Sequence, residues 1–274
     1  MRIPFRASWL LAGLLVCLAV TARAAPPLPA EIASQGVLRV GVKCDYPPSG
    51  FLDANRNFAG IEVDMARYLA TKAFGSPDKA ALQCVTAENR IPALIGKKID
   101  LIIATLGATP ERARVIAFSD PYQWGGGDVL VPKDSPIHTM ADLKGHKVVV
   151  LKGTTEEAWF TDKMPDLELL KLNSVADAMQ ALRGGRVDAY AHDDAVLAQL
   201  AAKNPDLRLI GTPYAINVAA IGIRKGDTAL QAWVNAELAD MKADGLFQKS
   251  IAQWVEPPLQ PLMDKQFLTP RPKD

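Results

Sequence analysis

The chain has 274 residues, with 31 Lys plus Arg against 30 Asp plus Glu, a net charge of +1, 49% hydrophobic and 7% aromatic residues. That is ordinary globular composition; it excludes collagen-like and disordered classes and leaves room for one or two domains. The first 24 residues hold Arg2, Arg6 and Arg23 and no acid, so a chain beginning at residue 25 carries 28 bases against 30 acids. A net charge of −2 lacks the concentrated basic face that binding a nucleic acid requires.

Arg2 and Arg6 precede one apolar run, Trp9 to Val20, and Ala22-Arg23-Ala24 supplies the small residues of a signal-peptidase site. The run is shorter than the ~18 residues a bilayer span needs. Cleavage after Ala24 and export in soluble form are expected, and Val16 before Cys17 does not suit lipid attachment. After the leader, strand-length apolar runs alternate with helix-period segments, the pattern of parallel strands joined by crossover helices. Strands are predicted over Val37 to Val42, Ala81 to Val85 and Ile99 to Leu106, with helices over Ile61 to Phe74 and Ile91 to Lys98. The pattern breaks at Phe118 to Tyr122 and at Gly125 to Gly127.

It then restarts with strands over Lys147 to Leu151, Leu167 to Leu172, Val187 to Ala191 and Leu207 to Ile210. Between them fall helices over Glu156 to Met164, Val175 to Arg183 and Ala195 to Lys203. A strand over Ala219 to Arg224 and helices over Leu230 to Ala243 and Phe247 to Val255 precede a proline-rich tail from Pro257. Two α/β units follow, the second reached by leaving the first once and returning once through two extended segments, an arrangement built to open and close.

No phosphate-binding glycine fingerprint lies between a strand and a helix, and Gly125-Gly126-Gly127 lacks the Lys and Ser or Thr of a P-loop. No nucleophile elbow occurs. His138, His146 and His192 are scattered, no Cys or His cluster has metal-ligand spacing, and neither metal nor cofactor is expected. Cys44 and Cys84 each follow a strand-like run; a disulfide between neighbouring strands and two separate buried thiols both fit.

In open α/β units ligands collect beyond the carboxyl ends of the strands. The residues there are polar: Lys43 after the first strand, Glu88-Asn89-Arg90 after the second, Thr105, Thr109 and Arg112 after the third. Gly153-Thr154-Thr155 and His192-Asp193-Asp194 follow later ones. Taken singly, each fits a solvated cation or a helix cap; their convergence on one side of two sheets is what points to a site.

The segments VLRVGVKCDYPP, FAGIEVDMARYLA, NRIPALIGKKIDLIIATLGATPERA, IAFSDPY, DLKGHKVVVLKGTT, GRVDAYAHDD and IGIRKGD recur in this order in the periplasmic substrate-binding proteins of ABC importers for polar amino acids, solute-binding family 3, which the chain resembles across nearly all its length beyond residue 24. Lys43, the NRIP segment and the tail after Trp254 resemble the glutamate/aspartate branch most closely. The resemblance implies a two-lobed α/β fold of the type II periplasmic binding protein class. A signal peptide would occupy 1–24, one lobe 25–124 and 217–274, and the other lobe 125–216.

It further implies a monomeric, non-enzymatic receptor that closes on an acidic amino acid or similar dicarboxylate and delivers it to an inner-membrane ABC permease. Arg112 would grip the α-carboxylate, as a guanidinium fork can with two parallel hydrogen bonds. Thr155, at the start of a helix after Gly153-Thr154, would add a hydroxyl and a backbone N–H to it, Asp193 would pair with the α-ammonium, and Thr154 and His192 would line the same site. Lys43 and Arg90 would take an anionic side chain and reject lysine, arginine and ornithine, with Tyr46 as a wall. Gly107 stands where many members carry Ser or Thr, so that contact must come from its backbone N–H or from Thr105. The alternative on the same scaffold is a periplasmic dehydratase acting on prephenate-like dicarboxylates, with Glu88, His192 or Asp194 as its acid.

Overall fold

The computed structural model describes residues 26–272; the leader expected at 1–24 lies outside them. After a short helix α1 (Ala30–Gln35), strand β1 (Leu38–Val42) is fully buried except at Arg39, as a strand covered on both faces must be. A small meander follows: β2 (Asp45–Tyr46), β3 (Gly50–Leu52) and β4 (Phe58–Ala59). Helix α2 (Ile61–Phe74) buries Met65, Ala66 and Leu69 against the sheet and ends on the left-handed Gly75. Then come β5 (Ala80–Cys84), α3 (Arg90–Ile95), β6 (Leu101–Ile103) and α4 (Pro110–Ala113), the last capped by the Thr109 hydroxyl.

Strand β7 (Ile116–Pro132) runs for 17 residues from this first unit into a second. There β8 (Lys147–Leu151), α5 (Thr155–Lys163), β9 (Glu168–Leu172), α6 (Val175–Arg183), β10 (Ala189–Asp193), α7 (Asp194–Lys203) and β11 (Leu207–Leu209) alternate. Strand β12 (Tyr214–Arg224) carries the chain back, and α8 (Thr228–Ala243), α9 (Leu246–Trp254) and α10 (Gln260–Leu268) complete the first unit.

The sheet order β5-β1-β6-β12-β7-β10-β8-β9 places parallel strands in both units and the antiparallel pair β7 and β12 between them. Each half of the sheet is packed on both faces. In the first unit α2, α8, α9 and α10 cover one side around Leu69, Trp233 and Phe247, while Leu94, Ile99 and Ile102 fill the other. In the second unit Val149, Leu182 and Leu197 lie on one side, Val148, Phe160 and Tyr214 on the opposite one.

Two sequence expectations change. The break predicted at Phe118 to Tyr122 and Gly125 to Gly127 is a continuous strand, because the glycines make room rather than a turn. A Cβ on Gly127 would lie 2.4 Å from the Tyr214 ring, one on Gly126 3.2 Å from the Tyr214 carbonyl, and one on Gly125 3.4 Å from Gln266 and 3.5 Å from Asp194. The proline-rich tail holds α10, whose prolines fall in its first turn and in the 3-10 turn before it, where a missing N–H costs nothing. The open alternative at Cys44 and Cys84 closes as a disulfide: β1 and β5 pair in parallel with Val42 opposite Cys84, and the two Cα atoms are 5.5 Å apart.

Candidate functional site

The strand ends of both units face one cleft, lined by Lys43, Tyr46 and Arg90 from the first unit and by Thr155, Glu156 and Asp193 from the second. Ala87, Thr105, Thr154 and His192 complete its wall. The units are closed on each other. Tyr46 donates its hydroxyl to Asp193, the Val175 N–H donates to Asp45 at 3.3 Å, and an Arg112 guanidinium N–H donates to the Gly153 carbonyl at 2.9 Å. Gly153 is left-handed (φ 75°), and a Cβ there would strike the backbone of Ala87 and Glu88 within 2.9 Å. That close approach requires glycine.

The first-unit end of the cleft is cationic. Lys43 directly follows β1, is 4% exposed, and has its Nζ 5.2 Å from the centre of the Tyr46 ring. Burial first, and then the charge of Arg90, lowers its pKa to about 8. Arg90 opens α3 and is 3% exposed; its guanidinium donates to the Ala104 carbonyl at 2.5 Å and the Thr105 carbonyl at 3.3 Å, while its Nε is buried without a partner. Burial, and then the charge of Arg112, lowers it to about 10. Two neighbouring buried cations disfavour each other's charge.

Beneath them lies Glu62, fully buried and missed by the sequence reading. It accepts from the Thr105 N–H at 2.6 Å, the Thr105 hydroxyl at 3.1 Å and the Tyr122 hydroxyl at 2.5 Å. This grip holds Thr105 in the left-handed region (φ 46°) and turns its carbonyl toward Arg90. The signal was present in the sequence: Glu62 shares the apolar face of α2 with Met65, Ala66 and Leu69, where a charge is out of place unless it has partners.

The second-unit end is acidic. Thr154 caps α5, accepting from the Glu157 N–H at 3.2 Å and donating to the Leu151 carbonyl at 2.7 Å, so its hydroxyl is committed. Thr155 donates its hydroxyl to Glu156 at 3.0 Å. Glu156 is a second residue the sequence reading missed, since an acid in the first turn of a helix is unremarkable there. Of the two aspartates after β10, Asp194 is tied to the Ala195 N–H and to Gln266, whereas Asp193 makes no helix-capping bond and turns toward Tyr46. His192 accepts the Asp193 N–H on Nδ1 at 2.8 Å, and burial holds it neutral, with a pKa lowered to about 3.

Arg112 lies at the rim, and Gly107 lines an adjoining part of the cleft with Tyr46, Thr105, Thr155 and Asp193. One Arg112 nitrogen donates to the Gly107 carbonyl at 2.7 Å, the other to Gly153, so the guanidinium straddles the two units. The departure at Gly107 has a steric reason: a Cβ there would come within 3.0 Å of the Thr155 methyl and 3.2 Å of Arg112. Glu88 and Asn89 are exposed, and Asn89 closes a turn with Thr86. Glu156, His192 and Asp193 bring polar atoms within 4.8 Å of one another.

Two α/β lobes joined by paired strands, with a cleft of opposed charges at the strand ends, define a two-lobed binding protein of the type II periplasmic class. The model of the bacterial extracellular solute-binding proteins, family 3, matches residues 38–257, and the chain belongs to that family. It is 34% identical over 229 residues to the ABC transporter glutamine-binding protein GlnH of Bacillus subtilis, covering 83% of this chain and 84% of that protein. It is 30% identical over 222 residues to the ABC transporter arginine-binding protein 1 of Escherichia coli, covering 79% and 90%. The solved solute receptor for L-cysteine of Neisseria gonorrhoeae superposes with a TM-score of 0.80 at 39% identity, covering 82% of this chain and 92% of that one. These relatives are named for glutamine, arginine and L-cysteine, so the glutamate/aspartate branch expected from Lys43 and the NRIP segment is not the one they bring forward.

Proposed function

We propose that the protein is exported past the inner membrane, binds a compact α-amino acid between its lobes and presents the closed form to an ABC permease. The observation that carries this reading is the polarity of one cleft: Lys43 and Arg90 at one end, Glu156 and Asp193 at the other, and the Arg112 fork at the rim. A zwitterion fits that pattern, with its ammonium toward the acids and its carboxylate toward Arg112. Its side chain then meets Lys43 and Arg90, which favours an anionic end. Glutamate and aspartate suit these cations. L-cysteine is the second reading, supported by the likeness to the cysteine receptor and by the ability of two cations to stabilise a thiolate. Arginine and lysine would bring a third cation against two that are already buried, and are expected to bind weakly.

Titration calorimetry with glutamate, aspartate, cysteine, glutamine and arginine tests the reading. One of the first three should bind most tightly, and Arg112→Ala should weaken that ligand more than 100-fold, on the order of the 3 kcal/mol of two charge-assisted hydrogen bonds. Tightest binding of arginine would overturn the side-chain assignment. The dehydratase alternative draws support from the buried carboxyl of Glu156 beside Asp193; aromatic product from prephenate or arogenate would establish it.

A further inference from the structure

Glu156 sits in the first turn of α5 and Asp193 at the end of β10, and their carboxyl oxygens, with His192 Nδ1, lie within 4.8 Å of one another inside the closed cleft. The hydrogen bonds around them define the charge they can carry. Thr155 donates to Glu156, whose own N–H and the Thr154 hydroxyl also favour its charge, and Tyr46 donates to Asp193; all of these are neutral donors. His192 cannot offset them as a cation: its Nδ1 lone pair is used by the Asp193 N–H, and its Nε2 is buried without a partner.

The cations that face the pair make their hydrogen bonds elsewhere, while the charge of Arg112 still favours ionised Glu156 and that of Arg90 ionised Asp193, each against the larger effect of burial. Each terminal nitrogen of Arg112 gives one of its N–H groups to the Gly107 or the Gly153 carbonyl, Arg90 is held by the carbonyls of Ala104 and Thr105, and Lys43 lies over the Tyr46 ring. Asp194 adds a further negative group, held by Gln266 and the Ala195 N–H, and Tyr190 and Tyr214 contribute only neutral phenols, since burial pushes both well above the usual tyrosine range. Burial raises the Glu156 carboxyl above its usual range; burial and then the charge of Glu156 raise Asp193. Two carboxylates this close, Glu156 buried and Asp193 about a third exposed, disfavour each other's charge unless a cation comes between them, and they titrate as a unit.

We propose that Glu156 and Asp193 together keep one proton in the cleft until the ligand's α-ammonium takes its place, so that Glu156 is a specificity residue for the amine and binding releases that proton to solvent. The inference rests on the reading of the site as an amino-acid receptor. The one carboxylic O–H of the pair gives its proton to water or buffer base, and the N–H groups of the ammonium then donate to both carboxylates. A 2-oxo or 2-hydroxy acid of the same shape offers no such cation, leaves the proton in place and binds weakly.

The test is calorimetry of the full exported chain near pH 6, titrated with the amino acid that binds most tightly, in buffers of different ionisation enthalpy. The slope of the observed heat against that enthalpy counts the protons. Wild type should release a proton, approaching one per ligand below the apparent pKa of the pair, where its affinity should rise up to tenfold per pH unit. Glu156→Gln should bind with a slope near zero and a flat acid profile. Tight binding by wild type with heat independent of buffer overturns the proposal alone, whatever becomes of the variant; equal release from Glu156→Gln also overturns it. Failure of every amino acid to bind removes the receptor reading, and the proposal with it.

Discussion

His192 shows how a single side chain in this cleft carries a consequence for the whole fold. Its imidazole is buried beside Tyr46 and Tyr190, with Lys43 and Arg90 nearby, and its pKa falls from 6.5 to about 3. The unfolded chain therefore takes up this proton first as pH falls. The stability that neutral His192 contributes is complete above pH ~6.5 and is lost as pH drops toward 3, by about 1.4 kcal/mol per pH unit within that window. Glu62, Glu156 and Asp193 act in the opposite sense, since their raised values favour the folded state at low pH. Comparing variants isolates the histidine. Urea unfolding of His192→Gln at pH 7, 5 and 4 should show a shallower acid loss than wild type; parallel curves would mean that the imidazole is not held neutral.

The loop after β1 is where secondary structure is turned into a site. Strand β1 delivers Lys43, Cys44 and Tyr46 in quick succession, and the disulfide ties Cys44 to the end of β5, whose continuation brings Arg90 into the same cleft. The bridge closes a loop with a sequence separation of 40. Chain entropy alone then predicts that Cys44→Ser with Cys84→Ser costs about 4 kcal/mol of stability. Denaturant titration of the double variant measures this, and a loss below ~1 kcal/mol would show that the loop is ordered without the bridge. Helix α10 contributes differently: Trp124 of β7 donates to the Thr269 carbonyl at 2.9 Å, and Gln266 meets Gln123 at 3.3 Å, which fastens the C-terminal segment to the strand that joins the lobes.

For the molecule as a whole, function depends on the difference in energy between open and closed arrangements. A ligand drives closure only by its preference for the closed one. Bonds that cross between the lobes set that difference: Tyr46 to Asp193, Arg112 to Gly153, Asp45 to Val175, and Gln266 to Asp194 at 2.9 Å. The last involves no residue of the cleft wall on the Gln266 side. Losing one hydrogen bond of about 1 kcal/mol from the closed form weakens every ligand by a similar factor, roughly fivefold. Gln266→Ala should therefore raise all dissociation constants together while leaving their order unchanged. A changed order of preference in calorimetry would place Gln266 in ligand recognition instead.

Periodicity determined a good deal of this architecture. The helices over Ile61 to Phe74 and Val175 to Arg183 and the strand over Lys147 to Leu151 are legible because local burial patterns repeat with the period of the backbone. Lys43, Arg90, Thr155 and Asp193 were likewise legible as polar residues at strand ends, and the structure gathers them around one cleft. What the tertiary structure alone decided are the matters of proximity between distant segments. Glycines 125–127 lie in a strand because β12 and β10 pair with them from remote parts of the chain, and they are glycines where Tyr214, Asp194 and Gln266 crowd the space of a Cβ. Glu156 became a partner of Asp193, and Glu62 the clamp on Thr105, through contacts that no local pattern encodes. Charge in a cleft is a property of what folding brings within a few ångströms and removes from water, and both conditions arise only when the two lobes meet.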